Sequence, residues 1–523
     1  MVTINQEKVK CLGYVSIDLK SSNHWLQFAD DTAIITSLQS DNQLLLNIFS
    51  KWVSWSDLKV RIDKCHTFGI RKTATLSVQY EPYLTVCNER IPSVALGKNF
   101  VYLGKTFNFG MTNTLPKNEI IERLTSYLET INHLPIHPSD KLKILNTYVY
   151  SKLRWLFSIY KIDLTWIQQN CDSIVSRQWR QWLNMHPGAN ISHLRCSGAK
   201  LGLKLQLPSD IYKNCQNTVR KLMKSSLDKD IVKIYHATKE KYISSHEIIV
   251  QSEEISKSTN LIENKATEDS CWSNFLELKK QNIIIKFLTE NVGVNKIKSW
   301  QKVAKDLPDN IFSFVRRYLI LALPTKVNLK TWKLIEDNIC SLCQEKPETQ
   351  HHLMANCSVA ANDRYKWRHD SVLYTITYHI KNVVNDTVNV FADIEGFPDP
   401  SQFFKSSRPD IIVKIGNILN IIELTICFET NIVKSREYKQ LKYKDLRNDL
   451  INMELETKLF TVEISVIGFM SKDTTPFTSL LRNMNVNVAR MLSKCSEVCC
   501  RSSYYIFNRR NKQWTSPQIL KFY

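Results

Sequence analysis

The sequence predicts a multidomain α+β protein. Its 523 residues exceed the usual size of one domain, which favours about three or four folded units. Hydrophobic residues make up 43% and aromatic residues 10% of the chain, with only 12 glycines and 15 prolines, and this composition is typical of folded proteins. Stretches with the pattern of short strands also alternate with long stretches of helical periodicity. We therefore expect several cores rather than one.

The chain is strongly basic. Lys and Arg number 70 against 50 Asp and Glu, and the formal net charge is +20. Such a surface attracts polyanions, and together with the aromatic residues it favours a nucleic-acid partner; a merely soluble basic protein is the alternative. The chain begins without the apolar stretch of a signal peptide, and its longest uncharged apolar run is too short to cross a membrane. We expect no membrane contact and reduced cysteines.

The first candidate site is an acidic pair within residues 25–35. Two short apolar runs flank Asp30 and Asp31, which predicts a β-hairpin with both carboxylates at its tip. Adjacent carboxylates at an exposed turn can hold Mg²⁺ against nucleotide phosphates. An acidic pair is also common in ordinary turns, so the pair by itself does not identify a catalytic site.

The next part of the chain is predicted to be helical. Apolar residues recur three to four positions apart in 120–131 and 140–148, and Pro138 would begin the second of these helices. Tryptophans interleave with arginines and lysines across 152–182, which suits either a grip on a nucleic-acid backbone or an amphipathic bundle with a basic solvated face. Polar and charged runs across 224–275 predict a linker with frayed helices.

Four residues further along have the spacing of zinc ligands. Two residues separate Cys340 from Cys343, eight separate Cys343 from His352, and four separate His352 from Cys357. A Cys3His set closed by short loops suits tetrahedral zinc, and four protein ligands leave no open position for water. The spacing therefore predicts a structural zinc site. His351 is an alternative ligand that the sequence does not separate from its neighbour.

Cations and aromatic rings follow the predicted zinc site. Arg364, Lys366 and Arg368 lie in one short stretch with a tyrosine and a tryptophan. Because cations neutralise phosphates and aromatic rings stack on bases, we expect these residues to bind nucleic acid.

A second acidic pair lies nearer the C-terminus. Asp410 precedes two strand-like runs that a Gly-Asn turn joins, and twelve residues separate it from Glu423 in the second run. Pairing of the runs would place both carboxylates at the same end of a sheet. There they can hold a divalent ion that activates water and stabilises a phosphate leaving oxygen. Lys439 and Tyr443 are four residues apart and share one face of a predicted helix.

Three stretches resemble, in order and spacing, the later palm motifs of reverse transcriptases of non-LTR retrotransposons: residues 28–31, 58–65 and 102–104. The resemblance implies that Asp30 is a metal ligand, that Lys64 is the family's lysine after the next strand, and that 102–104 belong to the primer-grip region. The family has a further metal-binding aspartate well upstream, whereas 29 residues precede Asp30 here. We therefore expect the end of a palm, from a truncated gene model or a decayed element, rather than a complete two-metal polymerase.

The basic-Pro-Asp sequence at 408–410, followed after twelve residues by Glu423, resembles the restriction-like endonuclease domain at the C-terminus of one class of these elements. In that domain the usual lysine just after the acid is absent, and a lysine on a later helix supplies its charge. This sequence agrees, since Thr425 stands two residues after Glu423.

The resemblance also implies roles for the residues of the second acidic pair. Asp410 and Glu423 would bind Mg²⁺ or Mn²⁺. Lys439 would stabilise the attacking water or the scissile phosphate, with Tyr443 beside it. Two other lysines of the same region are alternatives to Lys439: Lys434 and Lys442.

The order of these features implies the C-terminal part of a retrotransposon polyprotein of the restriction-like-endonuclease class. The expected parts are a partial palm (1–112), a helical thumb (113–223), a linker (224–275), a helical segment with a CCHC zinc knuckle (276–370) and an α/β restriction-endonuclease-like domain (371–523). The function implied is target-primed reverse transcription, with target DNA and element RNA as partners, in the nucleus after synthesis in the cytoplasm. The alternative is a catalytically inert, zinc-stabilised relic that binds nucleic acid.

Overall fold

The structure, a computed structural model, describes residues 14–15, 22–23, 25–110, 114–239, 259–384, 388–403, 408–443 and 456–521. The chain divides into two compact units. Unit 1 consists of Met1–Thr130, Thr147–Ile174 and Leu207–Lys257, and unit 2 consists of Ile131–Asn146, Val175–Gln206 and Ser258–Tyr523. Among the described helices, none combines the length and the apolar character needed to cross a membrane.

Strands and helices both occur in the described residues, as the α+β prediction requires. The strands are β1 Tyr14–Val15, β2 Ser22–Asn23, β3 Trp25–Phe28, β4 Asp31–Ile34, β5 Gly69–Lys72, β6 Ser77–Tyr80, β7 Thr85–Val86, β8 Glu89–Arg90, β9 Phe100–Tyr102, β10 Lys105–Phe107, β11 Val388–Ala392, β12 Ile411–Ile415, β13 Ile418–Cys427 and β14 Glu456–Ser465. The helices are α1 Gln39–Ser56, α2 Thr114–His133, α3 Pro138–Ile144, α4 Tyr150–Ile159, α5 Leu164–Ile167, α6 Ser173–Trp182, α7 Ser192–Arg195, α8 Pro208–Lys224, α9 Lys229–Lys239, α10 Thr259–Leu276, α11 Ile283–Asn291, α12 Val294–Asp306, α13 Asp309–Leu319, α14 Lys326–Thr331, α15 Lys366–Lys381, α16 Ile432–Lys442, α17 Thr475–Asn483 and α18 Val488–Asn508.

Short β-hairpins and helix α1 form the first part of unit 1. β3 and β4 pair antiparallel with Phe28 opposite Asp31, which confirms the predicted hairpin with the acidic pair at its tip. Leu46 of α1 packs against Leu84 and Val86 in a small buried cluster. This cluster fixes the helix against the β7–β8 hairpin.

A tight turn joins β9 and β10. Leu103 and Gly104 both have positive φ, at 48° and 72°. A Cβ atom on residue 104 would lie 2.7 Å from Nε1 of Trp155. Glycine is therefore required at this position both by the backbone conformation and by the close approach of the tryptophan ring.

Most of the described residues between 114 and 223, in the region predicted to be helical, lie in helices. α3 begins at Pro138, as predicted, and the His137 side chain caps it by accepting a hydrogen bond from the backbone N–H of Ser139. The tryptophans divide between core and surface, since Trp179 is fully buried whereas 53% of Trp155 is exposed. Contact of a tryptophan ring with nucleic acid stays a prediction for the exposed Trp155 and the half-buried Trp166.

The described part of the predicted linker contains two helices. α9 ends at Lys239 and α10 begins at Thr259, and residues 240–258 lie outside the described residues. Cys271 and Phe275 near the end of α10 are buried. The end of the predicted linker is therefore packed into unit 2.

A four-stranded sheet organises the C-terminal part of unit 2. Its strand order is β11-β12-β13-β14, with antiparallel pairing among the first three strands and parallel pairing of β13 with β14. α16 lies in the crossover connection that the parallel pair requires. β12 and β13 form the predicted hairpin, and Gly416 in its turn has a φ of +58°.

Apolar clusters cover both faces of this sheet. On one face Ile376 of α15 and Met491 of α18 belong to the same buried cluster as Ile422 of β13. On the opposite face Ile412 of β12 packs with Tyr443, which follows α16. α15 and α16 are thus fixed on opposite faces of the sheet, each close to the end where Asp410 and Glu423 lie.

Candidate functional site

The four predicted zinc ligands converge in unit 2. One ligand atom from each of Cys340, Cys343, His352 and Cys357 lies within 4.8 Å of every other, and Sγ of Cys343 is 3.4 Å from Nε2 of His352. Within the part of the chain that the structure describes, this is the single group of three or more His, Cys, Asp or Glu side chains that converges in this way. Three sulfurs and one imidazole nitrogen at this spacing fit a tetrahedral zinc ion.

The backbone around Cys340 and Cys343 forms a compact turn. The N–H of Cys340 donates to the carbonyl of Lys346 at 2.8 Å, and the N–H of Gln344 donates to the carbonyl of Cys340 at 2.9 Å. Backbone N–H groups of Glu345 and Lys346 lower the pKa of the Cys343 thiol. Because zinc binds thiolate rather than thiol, these donors favour the ligating form of Cys343.

The two adjacent histidines have different environments. His352 lies in the cluster, and the hydroxyl of Tyr365 donates to its backbone carbonyl at 3.0 Å. The ring of His351 instead packs edge-on against Phe428, with centroids 4.8 Å apart, and its Nε2 lies 3.2 Å from the amide nitrogen of Asn431. The structure therefore brings His352 to the zinc cluster and turns His351 towards the sheet.

The second acidic pair occupies one end of the β12–β13 hairpin. Asp410 immediately precedes β12, and its backbone N–H donates to Oε1 of Glu423 at 3.3 Å. The N–H of Leu424 donates to Oδ2 of Asp410 at 2.7 Å. The exposed fraction of the side chain is 15% for Asp410 and 1% for Glu423. Oxygen ligands from two adjacent carboxylates fit Mg²⁺ or Mn²⁺, which keeps several bound waters.

Lys439 of α16 is the lysine that reaches this pair. Its Nζ lies 2.8 Å from Oε2 of Glu423, and Tyr443 is buried beside it, with the centre of its ring 5.8 Å from the same Nζ. Burial and the charge of Asp410 raise the pKa of Glu423, and Lys439 opposes that rise. The two alternative lysines, Lys434 and Lys442, are exposed on α16.

Two residues of this site were not foreseen from the sequence. His369, in the first turn of α15, has Nε2 at 3.6 Å from Oδ2 of Asp410 and Nδ1 at 3.1 Å from Oδ1 of Asp370. Burial lowers the pKa of His369, but the two carboxylates outweigh it and raise the pKa to about 10. The sequence carries no spacing signal for this contact, because α15 and Asp410 come together only through packing on the sheet.

A cleft of about 350 Å³ opens beside these residues. Three cationic side chains line it, those of Lys366, His369 and Lys439, together with the acids Asp370 and Asp393. A cleft with cations next to a carboxylate pair can accept a phosphate group while a divalent ion is bound.

Burial contradicts the predicted nucleic-acid contact of two arginines. Arg364 is 3% exposed and donates to the carbonyls of Arg509 and Lys512 just beyond α18. Arg368 is 1% exposed and donates to the carbonyl of Met354. Both guanidinium groups tie helices together inside unit 2. Of the three basic side chains that were predicted to bind nucleic acid, Lys366 alone lines the cleft.

The predicted polymerase residues lie in unit 1. Asp30 and Asp31 are exposed at the β3–β4 turn, and Lys64 is exposed on a short 3₁₀ turn at Ile62–Lys64. Among the described residues, no third acid, histidine or cysteine joins Asp30 and Asp31 in a convergent group. Their role in metal binding stays a prediction.

Parts of the chain are similar in sequence to known proteins. Residues 270–362, which contain the Cys/His cluster, match the family described as zinc-binding in reverse transcriptase. Over 446 residues the chain is 24% identical to the Retrovirus-related Pol polyprotein from type-2 retrotransposable element R2DM of Drosophila melanogaster, covering 81% of this chain and 39% of that protein. Over 182 residues it is 26% identical to the Retrovirus-related Pol polyprotein from type-1 retrotransposable element R2 of Popillia japonica, covering 34% of this chain and 29% of that protein.

These similarities confirm the resemblance to a non-LTR retrotransposon reverse transcriptase polyprotein, and the protein is retrotransposon-derived. The chain matches well under two thirds of the length of either relative. The family match and the converging cysteines and histidine both indicate zinc binding.

Proposed function

We propose that this retrotransposon-derived chain is a metal-dependent endonuclease that nicks DNA for target-primed integration. The observation that carries the proposal is the carboxylate pair of Asp410, which immediately precedes β12, and Glu423 of the adjacent strand β13, with Nζ of Lys439 at 2.8 Å from Glu423 beside an open cleft. The similarity to Pol polyproteins of retrotransposable elements supports nucleic acid as the substrate class.

The carboxylate pair and three neighbouring side chains each have a role in the proposed reaction. Asp410 and Glu423 would hold Mg²⁺ or Mn²⁺, which when bound activates water and stabilises the leaving oxygen of the phosphodiester. Burial and the Asp410 charge raise the pKa of Glu423, and Lys439 opposes that rise; its ammonium can also neutralise the scissile phosphate. Tyr443 is buried beside the Lys439 ammonium and would limit the movement of that side chain. Lys366, which also lines the cleft, would contact a neighbouring phosphate.

The N-terminal part of the chain is proposed to be the end of a reverse transcriptase palm that binds element RNA. Asp30, Asp31 and Lys64 are exposed and accessible to such a partner. RNA-directed DNA polymerase activity would also need the further metal-binding aspartate of the family. The full activities of the two relatives, and action in the nucleus, are accordingly proposals for this chain.

Nicking of supercoiled plasmid by the purified chain tests the endonuclease. We expect Mg²⁺- or Mn²⁺-dependent conversion to the open-circular form, and its loss in Asp410→Ala. The matched control is Glu395→Ala, which removes an exposed acid outside the carboxylate pair and should nick as the wild type does. Circular dichroism and zinc content would establish that both variants are folded. Equal nicking by Asp410→Ala and the wild type would refute the site.

A catalytically inert nucleic-acid-binding relic is the second candidate function. It is favoured by the net charge of +20 and by the ion pairs that neutralise both carboxylates, Asp410 with His369 and Glu423 with Lys439. This candidate predicts salt-sensitive binding to DNA or RNA, with no cleavage in any divalent metal. The plasmid assay therefore separates the two functions.

A further inference from the structure

Two side chains of α15, Asp370 and His369, lie in line with the Asp410 carboxylate, each in contact with the next. Oδ1 of Asp370 lies 3.1 Å from Nδ1 of His369, and Nε2 of the same ring lies 3.6 Å from Oδ2 of Asp410. The three side chains are largely enclosed, with 21%, 24% and 15% of their surfaces exposed in that order. The ring therefore has a hydrogen-bond-length contact with Asp370 and an ion-pair contact with Asp410, so each ring nitrogen has a defined partner.

The helix that carries His369 and Asp370 is packed tightly against the sheet. His369 stands in the first turn of α15, and the next turns of that helix contribute Val372, Leu373 and Ile376, all fully buried against the sheet. Because α15 is fixed to the same sheet that carries Asp410, the His369 ring has little freedom to move relative to that carboxylate.

The two contacts described for the Asp410 carboxylate fall on the same oxygen. Oδ2 accepts from the N–H of Leu424 at 2.7 Å and faces Nε2 of His369. Two contacts on one oxygen restrict the rotation of the carboxylate, and so also the position of its other oxygen, Oδ1. A ligating carboxylate is commonly oriented in this way by partners that do not touch the metal.

We propose that His369, oriented by Asp370, is a positioning residue that holds the Asp410 carboxylate in the orientation required to bind the divalent ion. The inference rests on the proposed endonuclease function, since Asp410 is a metal ligand only within it. His369 does not itself act on DNA in this scheme. It works through Asp410.

Metal binding in the absence of DNA is the test, because it does not depend on the nicking reaction. Mn²⁺ would be titrated into the full-length, zinc-loaded protein, and free Mn²⁺ would be followed by electron paramagnetic resonance. We expect His369→Ala to weaken Mn²⁺ binding about 10-fold or more, the range typical of lost partners of a metal ligand. His369→Gln keeps a side-chain N–H donor and should recover much of that loss. Asp370→Asn should have a smaller effect in the same direction.

Two controls make the result specific. His379→Ala removes a histidine of the same helix whose Nδ1 contacts only the carbonyl of Thr375 among the contacts described for it, at 2.8 Å, and should leave Mn²⁺ affinity unchanged. In an Asp410→Ala background, His369→Ala should cause no further loss, because both changes act on one ligand. Zinc content and circular dichroism would verify the fold of every variant.

The possible outcomes separate this inference from the proposed function. Wild-type binding of Mn²⁺ with equal binding by His369→Ala would overturn the role of His369 and leave the endonuclease standing. Absence of Mn²⁺ binding by the folded wild type would overturn both. A loss in His369→Ala that His369→Gln does not recover at all would also count against a hydrogen-bonding role.

Discussion

Nζ of Lys439 lies 2.8 Å from Oε2 of Glu423, although the two residues are 16 positions apart and belong to a helix and a strand. The contact arises because α16, in the crossover between the parallel strands β13 and β14, packs on the sheet and brings Lys439 to Glu423. Three lysines of this helix were candidates from the sequence, and this is the one whose ammonium meets the carboxylate pair.

Lys439→Met should reduce plasmid nicking about 100-fold or more, the usual cost of removing one charge-stabilising donor from an active site. Lys442→Met on the same helix is the matched control, and it should nick within about twofold of the wild type, because that side chain is exposed. The measurement is the initial rate of open-circle formation. Equal losses in both variants would mean that the helix contributes general positive charge rather than a specific contact.

Removal of a zinc ligand should remove the ion and destabilise unit 2. Cys357→Ser and His352→Ala should both lose about one zinc ion per chain, and unfolding in urea should shift to lower concentration, because a structural zinc contributes folding free energy directly. His351→Ala should keep its zinc, since that ring contacts Phe428 and Asn431 instead. Zinc would be measured by mass spectrometry, and retention of zinc by His352→Ala with loss in His351→Ala would reverse the assignment.

Arg368 and Lys366 should respond to substitution in opposite ways. Arg368→Met leaves the carbonyl of Met354 without its buried donor, which should cost about 1–3 kcal/mol of unfolding free energy. Lys366→Met should leave stability unchanged but weaken DNA binding and reduce the slope of log affinity against log salt by about one. Urea unfolding and fluorescence anisotropy at several salt concentrations would measure the two effects. A changed salt slope in a fully stable Arg368→Met would contradict this division.

A buried glutamate should make the stability of unit 2 depend on pH. Glu429 is fully buried, its Oε2 accepts a hydrogen bond of 2.6 Å from the Tyr318 hydroxyl, and burial raises its pKa from 4.5 to about 7. Between these values the folded state binds a proton that the unfolded state releases, so stability falls as pH rises through this range and stays lower above it. The upper limit of the effect is about 3 kcal/mol.

Glu429→Gln should abolish this pH dependence. The variant should be more stable than the wild type at pH about 8 and similar to it near pH 4.5, since the amide is neutral throughout. Glu437→Gln, an exposed position on α16, serves as the control and should follow the wild-type profile. Urea unfolding across this pH range gives the measurement, and a wild type whose stability rises towards pH 8 relative to Glu429→Gln would show that Glu429 is not held neutral.

Local features of the chain were readable from the sequence. The β3–β4 and β12–β13 hairpins, the helix that begins at Pro138 and the convergence of Cys340 with Cys343 each depend on residues close together in the chain. In such cases turn residues, apolar periodicity and ligand spacing carry the information, because few conformations satisfy them. Resemblance over short motifs added the family, which the comparisons bear out.

Tertiary structure alone decided which side chains share the site. It turned His352 rather than His351 to the zinc cluster, buried Arg364 and Arg368 as internal donors, and brought His369 to Asp410 across 41 positions of sequence. Each of these outcomes depends on contacts between residues far apart in the sequence. A residue's own sequence neighbourhood does not record that packing, because the partners are fixed by complementary surfaces far apart in the chain.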